Sequence, residues 1–301
     1  MSISALCIGH ASYDLCMVAP GFPGENSKTE TDLLIESGGG PAANAAWLLA
    51  SWGVLTAMAG VVGDDQYGRR AIAELCEAGV DCRLVTQLTG HPTPVSFIVC
   101  NQATGSRTII NRKAAGTKLD LPLEGLAGLE PKLLLFDGHE AEASLLAIKT
   151  FPNAITVLDA GSLRDGTRRL AGCVRYLVSS ERFAVQVTGE KDVAGTGQAV
   201  LKRLRQINDG ILVVTLGEHG LIYDDGQQQG RLPALSVEVN DTTAAGDIFH
   251  GAFAFALLEH MQLRPALRFA TIAAGLSVQK FGGRTSTPDL RQVRKENESK
   301  D

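Results

Sequence analysis

Small and hydroxyl residues run directly into an apolar helical pattern in the stretch Asp241-Thr242-Thr243-Ala244-Ala245-Gly246-Asp247-Ile248-Phe249-His250-Gly251-Ala252-Phe253. The first N–H groups of a helix have no partners within it and carry the positive end of its dipole, so they attract anions. Small side chains at that point let a phosphate approach the backbone, and Asp247 stands where a base for a hydroxyl nucleophile is needed. The stretch predicts a phosphoryl-transfer site, although a capped helix packed at a tight turn explains it equally well.

Charge and cysteine content narrow the class of protein. The chain has 301 residues, with 28 Lys and Arg against 33 Asp and Glu, for a net charge of −5. This mildly acidic balance argues against nucleic acid as the main partner. The six cysteines form no CxxC pair and no Cys/His ligand spacing, which favours reduced, mostly buried thiols and a cytoplasmic location.

The stretch from Ser37 to Gly63 is uncharged, which raises the question of whether it spans a membrane. Six glycines and Pro41 interrupt it. A buried helix followed by a buried strand fits this pattern better than a spanning helix, so no membrane partner is expected.

Short apolar runs alternate with helical patterns along most of the chain. Continuous apolar strands between amphipathic helices indicate a parallel sheet covered on both faces. The predicted strands are Ile3–Ile8, Ala57–Val62, Leu133–Phe136, Ile155–Leu158, Tyr176–Val178 and Ile211–Thr215. The predicted helices are Ala42–Trp52, Tyr67–Ala78, Glu142–Thr150, Gly195–Ile207, Asp247–His260 and Arg264–Lys280. The tail from Arg291 to Asp301 is almost wholly polar and is expected to be frayed.

Two segments break the alternation. Met17 to Ile35 and Pro94 to Asn111 resemble extended strands without intervening helices, and 95–100 with 107–111 predicts a hairpin. Together they predict a small second sheet, formed by segments of about residues 12–35 and 93–113 within a single domain, 1–301. Such a sheet can act as a lid that excludes water from a transferable phosphate. Its edge strands can also pair two subunits, which predicts a homodimer through the lid.

A second glycine-rich stretch, Gly38-Gly39-Gly40-Pro41-Ala42-Ala43-Asn44, begins the first predicted helix. Glycines let the backbone approach a ligand, and Asn44 can hydrogen-bond hydroxyl groups. A flexible loop before a buried helix is the alternative. A Walker A loop, a nucleophile elbow, a zinc HExxH pair and a dinucleotide fingerprint after the first strand are all absent from the sequence.

The two stretches together resemble the paired signatures of the ribokinase-like (PfkB) family of sugar kinases. Gly39, Gly40, Ala42, Asn44, Ala46, Gly53 and Gly63 match the first signature, and Asp241 to Asp247 match the second. Val214-Thr215-Leu216-Gly217-Glu218-His219-Gly220 is similar to the family's nucleotide-binding loop. The resemblance implies a three-layer α/β/α fold with a mainly parallel central sheet and a small β-sheet lid.

The same resemblance implies an ATP-dependent phosphotransferase that acts on a sugar hydroxyl, with Mg²⁺ as cofactor and K⁺ as a candidate monovalent ion. Asp247 is then the base, and the backbone N–H groups of Ala244, Ala245, Gly246 and Asp247 form the anion hole. The resemblance implies that Gly39, Gly40, Asn44 and Asp14 bind the substrate, and Ser12 lies in the same segment as Asp14. Further substrate-binding candidates, chosen because they are polar groups at predicted strand ends or lid edges, are Lys28, Arg107, Asn111 and His139, for which solvated surface is the alternative. The implied nucleotide-binding residues are Ser180, Thr215, Gly217, Gly220 and Thr271, and the implied metal-binding residues are Asp241, Thr243 and Glu181.

Two departures from the family pattern affect these implications. Ala244 replaces a glycine, which matters if the residue has a positive φ. The family's Asn-x-x-Glu element near Mg²⁺ appears as Ser180-Glu181-Arg182-Phe183, so Glu181 is the nearby acid.

The sugar itself stays open at this point. The chain is most similar to the sulfofructose kinase and ketohexokinase-like members, which implies a ketose or a related anionic sugar. Basic and polar groups at predicted strand ends or lid edges could hold an anionic substituent. A nucleoside kinase of the same fold, or a catalytically weak sugar-binding regulatory relative, are the alternatives.

Overall fold

The computed structural model describes residues 3–113 and 118–299. Within that part of the chain, no helix is both long and apolar enough to cross a membrane. The strands are β1 (Ala5–Ile8), β2 (Ser12–Ala19), β3 (Leu34–Gly39), β4 (Thr56–Gly63), β5 (Asp81–Leu88), β6 (Val95–Asn101), β7 (Arg107–Arg112), β8 (Leu133–Phe136), β9 (Ile155–Ala160), β10 (Tyr176–Ser180), β11 (Ile211–Thr215), β12 (Leu221–Asp224) and β13 (Gln229–Leu232).

The helices surround these strands on both sides. They are α1 (Pro41–Ser51), α2 (Gln66–Glu77), α3 (Leu123–Leu126), α4 (Ala141–Thr150), α5 (Asp165–Ala171), α6 (Glu181–Thr188), α7 (Gly197–Leu204), α8 (Ala245–Leu258), α9 (Leu263–Ser277) and α10 (Leu290–Ser299).

A nine-stranded sheet, in the order β13-β12-β11-β10-β9-β8-β1-β4-β5, forms the middle layer. Its strands are parallel from β11 through β5, and β12 and β13 add an antiparallel edge. One apolar core packs α1, α8 and α9 against one face, and a second packs α4 to α7 against the other. This is the predicted three-layer α/β/α arrangement, and it brings the carboxyl ends of the parallel strands to one edge.

The smaller sheet has four strands in the order β3-β2-β6-β7. The predicted hairpin is confirmed as β6 and β7, which pair antiparallel from Val95 to Cys100. β2 pairs parallel with β6 and antiparallel with β3. Between β2 and β3, residues 20–33 form no regular element, so the prediction of an extended strand over that part was wrong.

Several elements escaped the sequence analysis. β5 was not predicted because it mixes charged and apolar residues, and β12 and β13 are only four residues each. The prediction of a frayed tail was also wrong over its described part. α10 is helical from Leu290 to Ser299, with Val293 fully buried in the core. Val293 and the partly buried Leu290 pack this amphipathic helix against the core, although composition suggested a solvated end.

Candidate active site

Asp247 lies in the first turn of α8, where it accepts a hydrogen bond of 2.7 Å from Nδ2 of Asn44. Burial raises the pKa of Asp247 to about 7, and the charge of Asp159 adds to the increase. The Asn44 hydrogen bond and His250 act in the opposite direction. A carboxyl group with a pKa near neutrality is suited to general-base catalysis. The two glycine-containing stretches, remote in sequence, therefore meet at this carboxylate.

The backbone around Asp247 has the geometry of an anion site. Ala244 is the residue before α8 and adopts the left-handed conformation, with φ 57° and ψ 8°. Gly246 is exposed, and, apart from its neighbours in the chain and its own turn of helix, no heavy atom of the described residues lies within 4 Å of the position that a Cβ would take there. The predicted anion-hole residues Ala244, Ala245 and Gly246 thus surround an open, positively polarised helix end.

The triple-glycine turn lies against three different polar groups. A Cβ on Gly38 would lie 2.0 Å from Nη1 of Arg284, and one on Gly39 would lie 2.2 Å from Oδ2 of Asp14. Gly40 has φ 96°, and its Cβ would lie 2.4 Å from the carbonyl oxygen of His10. The turn therefore requires glycine because functional groups occupy the space of each side chain.

Strand register places several predicted substrate-binding residues on one face of the small sheet, the face of Asp14, which we call its inner face; the opposite face is its outer face. Asp14 of β2 is aligned with Ser96 of β6, which is aligned with Asn111 of β7. Side chains alternate between faces along a strand, so Ser12 and Arg107 share this face with them. Ser12 donates to Asp14 at 3.3 Å. Burial raises the pKa of Asp14, while hydrogen bonds from Ser96 and Ser12 oppose the increase.

Arg107 also connects the small sheet to the anion site. Its Nη1 donates to the hydroxyl oxygen of Thr242, in the loop that precedes α8. Close by, a Cβ on Gly105 would lie 2.8 Å from the carbonyl oxygen of Val239. The tip of the β6–β7 hairpin is thus in contact with the 239–242 loop.

Lys28 lies apart from this group. Its side chain is 85% exposed and forms an ion pair of 3.0 Å with Glu30 in the irregular 20–33 segment.

His139 belongs to a basic cluster after β1, β8 and β9. Its ring stacks on His10 with centroids 4.4 Å apart, and Nη1 of Arg164 bonds to it. Buried Asp137 accepts hydrogen bonds from the backbone N–H groups of His10 and His139, at 2.7 and 2.9 Å. Burial and the neighbouring charges of His139, Arg164 and Lys113 lower the pKa of His10 to about 3, although Asp137 opposes this. His10 is therefore neutral near pH 7, and Arg164 places a guanidinium group beside the two stacked rings.

The predicted nucleotide-binding residues follow β10 and β11. Ser180 and Thr215 are directly paired at the ends of these neighbouring strands. Gly217 has φ 56° in a short 3₁₀ turn, and Gly220 has φ 80° and contacts the carbonyl of Leu232. Thr271 lies within α9, where its hydroxyl donates to the carbonyl of Leu267 at 2.8 Å. The carboxyl ends of β10 and β11 and the glycine turn after β11 thus lie side by side.

The predicted metal-binding residues fall in two places. Asp241 and Thr243 are buried together, and Oδ1 of Asp241 accepts from both the N–H and the hydroxyl of Thr243. The Sγ atoms of Cys16 and Cys100 lie 2.9 Å apart, beside this carboxylate. Sequence spacing missed this grouping, since the three residues come from distant segments. Glu181 is the first residue of α6, next to Ser180.

The polar groups that support Asp247 were not predicted from the sequence. Arg284 donates through Nε to Oδ1 of Asn44 at 3.1 Å and through Nη1 to Oε2 of Glu74 at 3.0 Å. His250 lies 3.3 Å from Asp159 beneath the anion site. Arg284 follows two glycines in a segment for which no helix or strand was predicted. Its local sequence does not show that the arginine is buried. The glycines before it were the one available signal of a close approach.

Comparison with known proteins places this geometry in a family. Residues 2–290 match the model of the pfkB family carbohydrate kinases. Ribokinase of Lactococcus lactis is 33% identical over 168 residues, 55% of this chain and about half (53%) of that protein. Ribokinase of Bacillus subtilis is 28% identical over 95% of this chain and 96% of its own.

The fold has a close structural match as well. The solved structure of Arabidopsis thaliana ribokinase, complexed with ribose and ATP, superimposes with a TM-score of 0.81 at 25% identity, over 99% of both chains. The implied ribokinase-like architecture is confirmed, with its large mostly parallel sheet and smaller second sheet. The family match covers nearly the whole chain, and the protein belongs to the pfkB family of carbohydrate kinases, which are phosphotransferases.

Proposed function

We propose that this protein transfers the γ-phosphate of ATP to a hydroxyl group of a ketose or a related anionic sugar. The hydrogen bond between Asn44 and Asp247, at the open end of α8, is the observation that carries this proposal. It joins a group able to bind sugar hydroxyls to a carboxylate able to accept a proton.

Asp247 accepts the proton of the attacking hydroxyl as the phosphoryl group is transferred. The backbone N–H groups at the start of α8 stabilise the negative charge that develops on the phosphate. Asp14 and Asn111, on the inner face of the small sheet, bind and orient the sugar together with Gly39, Gly40 and Asn44. Orientation of the hydroxyl next to its base supplies much of the rate, because phosphoryl transfer needs little covalent assistance.

ATP binds along Ser180, Thr215, Gly217 and Gly220, and Thr271 is assigned to the same site. The direct pairing of Ser180 with Thr215 at the carboxyl ends of β10 and β11 supports this assignment. Mg²⁺ bound with ATP would supply charge neutralisation on the phosphates, and Glu181, the first residue of α6, would hold it through water. Asp241 and Thr243 support a K⁺ site, which a comparison of turnover in potassium and tetramethylammonium chloride tests directly.

The cluster of His10, His139 and Arg164 supports the proposal that the sugar carries an anionic substituent. An Arg164 guanidinium bonded to an imidazole offers charge-assisted donors to a carboxylate, phosphate or sulfonate group. Arg164→Gln should raise KM for an anionic ketose and leave KM for the neutral ketose nearly unchanged. Equal effects on both substrates would assign this cluster a structural role.

The exposed apolar residues on the outer face of the small sheet support the proposal that the protein forms a homodimer. Met17, Leu34, Phe97 and Ile110 lie on the face opposite Asp14 and are 42–65% exposed. A patch of this kind on a sheet fits a second copy of the same sheet. Light scattering of Phe97→Glu against wild type tests this, since the variant should shift toward the monomer.

Production of ADP over a panel of neutral ketoses, D-ribose, anionic sugars and nucleosides tests the function. Asp247→Asn should lower kcat by about 10²–10⁴-fold while substrate still binds. Asp225→Asn, at an exposed turn, is the matched control and should keep wild-type turnover. Preference for nucleosides would favour the nucleoside kinase alternative, and sugar binding without turnover would favour a regulatory relative.

A further inference from the structure

Arg284 is a buried cation that the proposed mechanism leaves without a role. Its side chain is 3% exposed, and it bridges Asn44 of α1 and Glu74 of α2. Because Asn44 donates to Asp247, a continuous hydrogen-bonded path leads from Arg284 to the base. Arg284 therefore lies one residue away from the reacting groups.

The direction of these hydrogen bonds fixes the orientation of the Asn44 amide. A guanidinium group can only donate, so the Asn44 atom that faces Arg284 must be its oxygen. The amide nitrogen is then turned toward Asp247, where it donates at 2.7 Å. In the opposite orientation, the amide oxygen would face the carboxylate of Asp247 and its NH₂ group would face the guanidinium, and both contacts would be repulsive.

Arg284 is itself fixed from the other side. Oε2 of Glu74 accepts from Nη1 of Arg284 and from the backbone N–H of Gly38 at 2.6 Å. Gly38 belongs to β3, the edge strand of the small sheet, and leaves no room for a side chain against the guanidinium. The orientation of Arg284 thus depends on the docking of β3 against α2.

Stability alone gives a poor account of this buried charge. Among residues 3–113 and 118–299, Nη2 of Arg284 has no hydrogen-bond partner, although it is buried. A buried cation with an unpaired donor costs free energy that a well-packed apolar side chain would not cost. Its position beside Asn44 points to a role in the reaction.

We propose that Arg284 is a positioning residue, which holds the Asn44 amide with its N–H group against Asp247 and so keeps this carboxylate ready to accept the substrate proton. The inference rests on the proposed function and adds to it the residue that orients the contact to the base. A variant without Arg284 retains Asp247 but lets the Asn44 amide rotate.

Charged and titratable groups surround both ends of the hydrogen-bonded path from Arg284 to Asp247. Asp247 faces Asp159, His250 and Asp14, and Arg284 faces Glu74, Asp14 and Cys82. The charges of Asp159 and Asp14 raise the pKa of Asp247, whereas the hydrogen bond from Asn44 lowers it. Loss of that hydrogen bond should therefore raise the pKa of Asp247 further.

The test is the pH profile of kcat for Arg284→Gln, with ATP and the best sugar of the panel, from about pH 5 to about pH 9. We expect the acid limb of the profile to move to higher pH by about one unit. At a given pH on that limb, kcat should then be about tenfold lower than in the wild type, and at higher pH it should be close to the wild-type value. Arg284→Lys, which keeps the charge but not the fork of donors, should give a smaller shift. Arg205→Gln removes another arginine that is paired with a carboxylate, Asp224, and whose side chain is 25% exposed; it should leave the limb unchanged.

A double-mutant cycle distinguishes positioning from a structural effect. In an Asn44→Ala background, Arg284→Gln should produce no further shift, because the residue acts through Asn44. An unchanged limb in the single variant, or an equal shift in both backgrounds, would overturn the proposal.

The side-chain amide signal of Asn44 in ¹⁵N-labelled protein gives a readout without turnover. It should titrate with an apparent pKa of about 7 in the wild type, and with a higher value in Arg284→Gln. A wild type that turns over no sugar refutes the proposed function, while the amide titration still tests the positioning role. The same midpoint in both proteins would refute that role.

Discussion

Along the inner strands of the large sheet, nearly every side chain is buried, as in β1, β4, β8 and β10. In the small sheet, β7 is exposed throughout and β6 alternates. The inner face of the small sheet carries Asp14, Asn111 and Arg107, and its outer face carries exposed apolar residues. The large sheet thus fixes positions by burial, and the small sheet leaves polar side chains free for recognition. Substitutions in the two sheets should fail in different ways.

The largest effect is expected in the large sheet. Phe136 of β8 is fully buried, and Phe136→Ala should lower the free energy of unfolding by about 3–5 kcal/mol. Ile98→Ala in the small sheet, where the apolar cluster is much smaller, should cost about 2 kcal/mol. Urea denaturation of both variants measures the difference. Equal losses would contradict the contrast between the sheets.

The next effect concerns recognition by the small sheet. Asp14→Asn should lower kcat/KM by about 10²-fold, or about 2.7 kcal/mol in transition-state binding, because a charged acceptor for a sugar hydroxyl is lost. Its free energy of unfolding should not fall, since burial raises the pKa of the carboxyl group and makes its charged form costly in the folded state. Steady-state kinetics beside a thermal melt measure both quantities. A lower melting temperature with unchanged kinetics would reverse the assignment.

Asp247 lies where the two sheets meet, and its titration should appear in stability. Its pKa is raised in the folded state to about 7, so its contribution is fully present below about pH 4 and is lost as the pH rises through about 7. Asp247→Asn should therefore match the wild type in acid and exceed it by about 1–3 kcal/mol above neutrality. Thermal melts at about pH 4 and about pH 8.5 test this. A gain that is equal at both values would exclude the raised pKa as its cause.

The smallest effect is expected at Ala244, where the backbone is left-handed. Ala244→Gly should stabilise the protein by about 0.5–1 kcal/mol, because glycine adopts this conformation without a Cβ clash. Ala245→Gly, in the regular first turn of α8, is the control. This substitution should destabilise the protein by a similar amount. Equal signs for both would show that φ at 244 does not limit stability.

Much of the fold could be predicted because apolar runs and helical periodicity are local signals. β8 and β11 were predicted at their observed bounds, and the other predicted strands and helices differ by a few residues at their ends. The contact between Asn44 and Asp247 was also within reach, since the two glycine-containing stretches frame it. Arg284 and Glu74 were not, because a buried ion pair has the same local sequence as a solvated one. Only their approach in space distinguishes them.

The triple-glycine turn restricts where this protein can diverge. Each missing side chain is replaced by a different group, namely the guanidinium of Arg284, the carboxylate of Asp14 and the His10 carbonyl. Any mutation there disturbs a separate part of the chemistry, so the turn offers no gradual route to a new substrate. The exposed β7 strand has no such constraint. Changes of sugar preference during evolution should therefore accumulate in that strand, while residues 38–40 stay fixed.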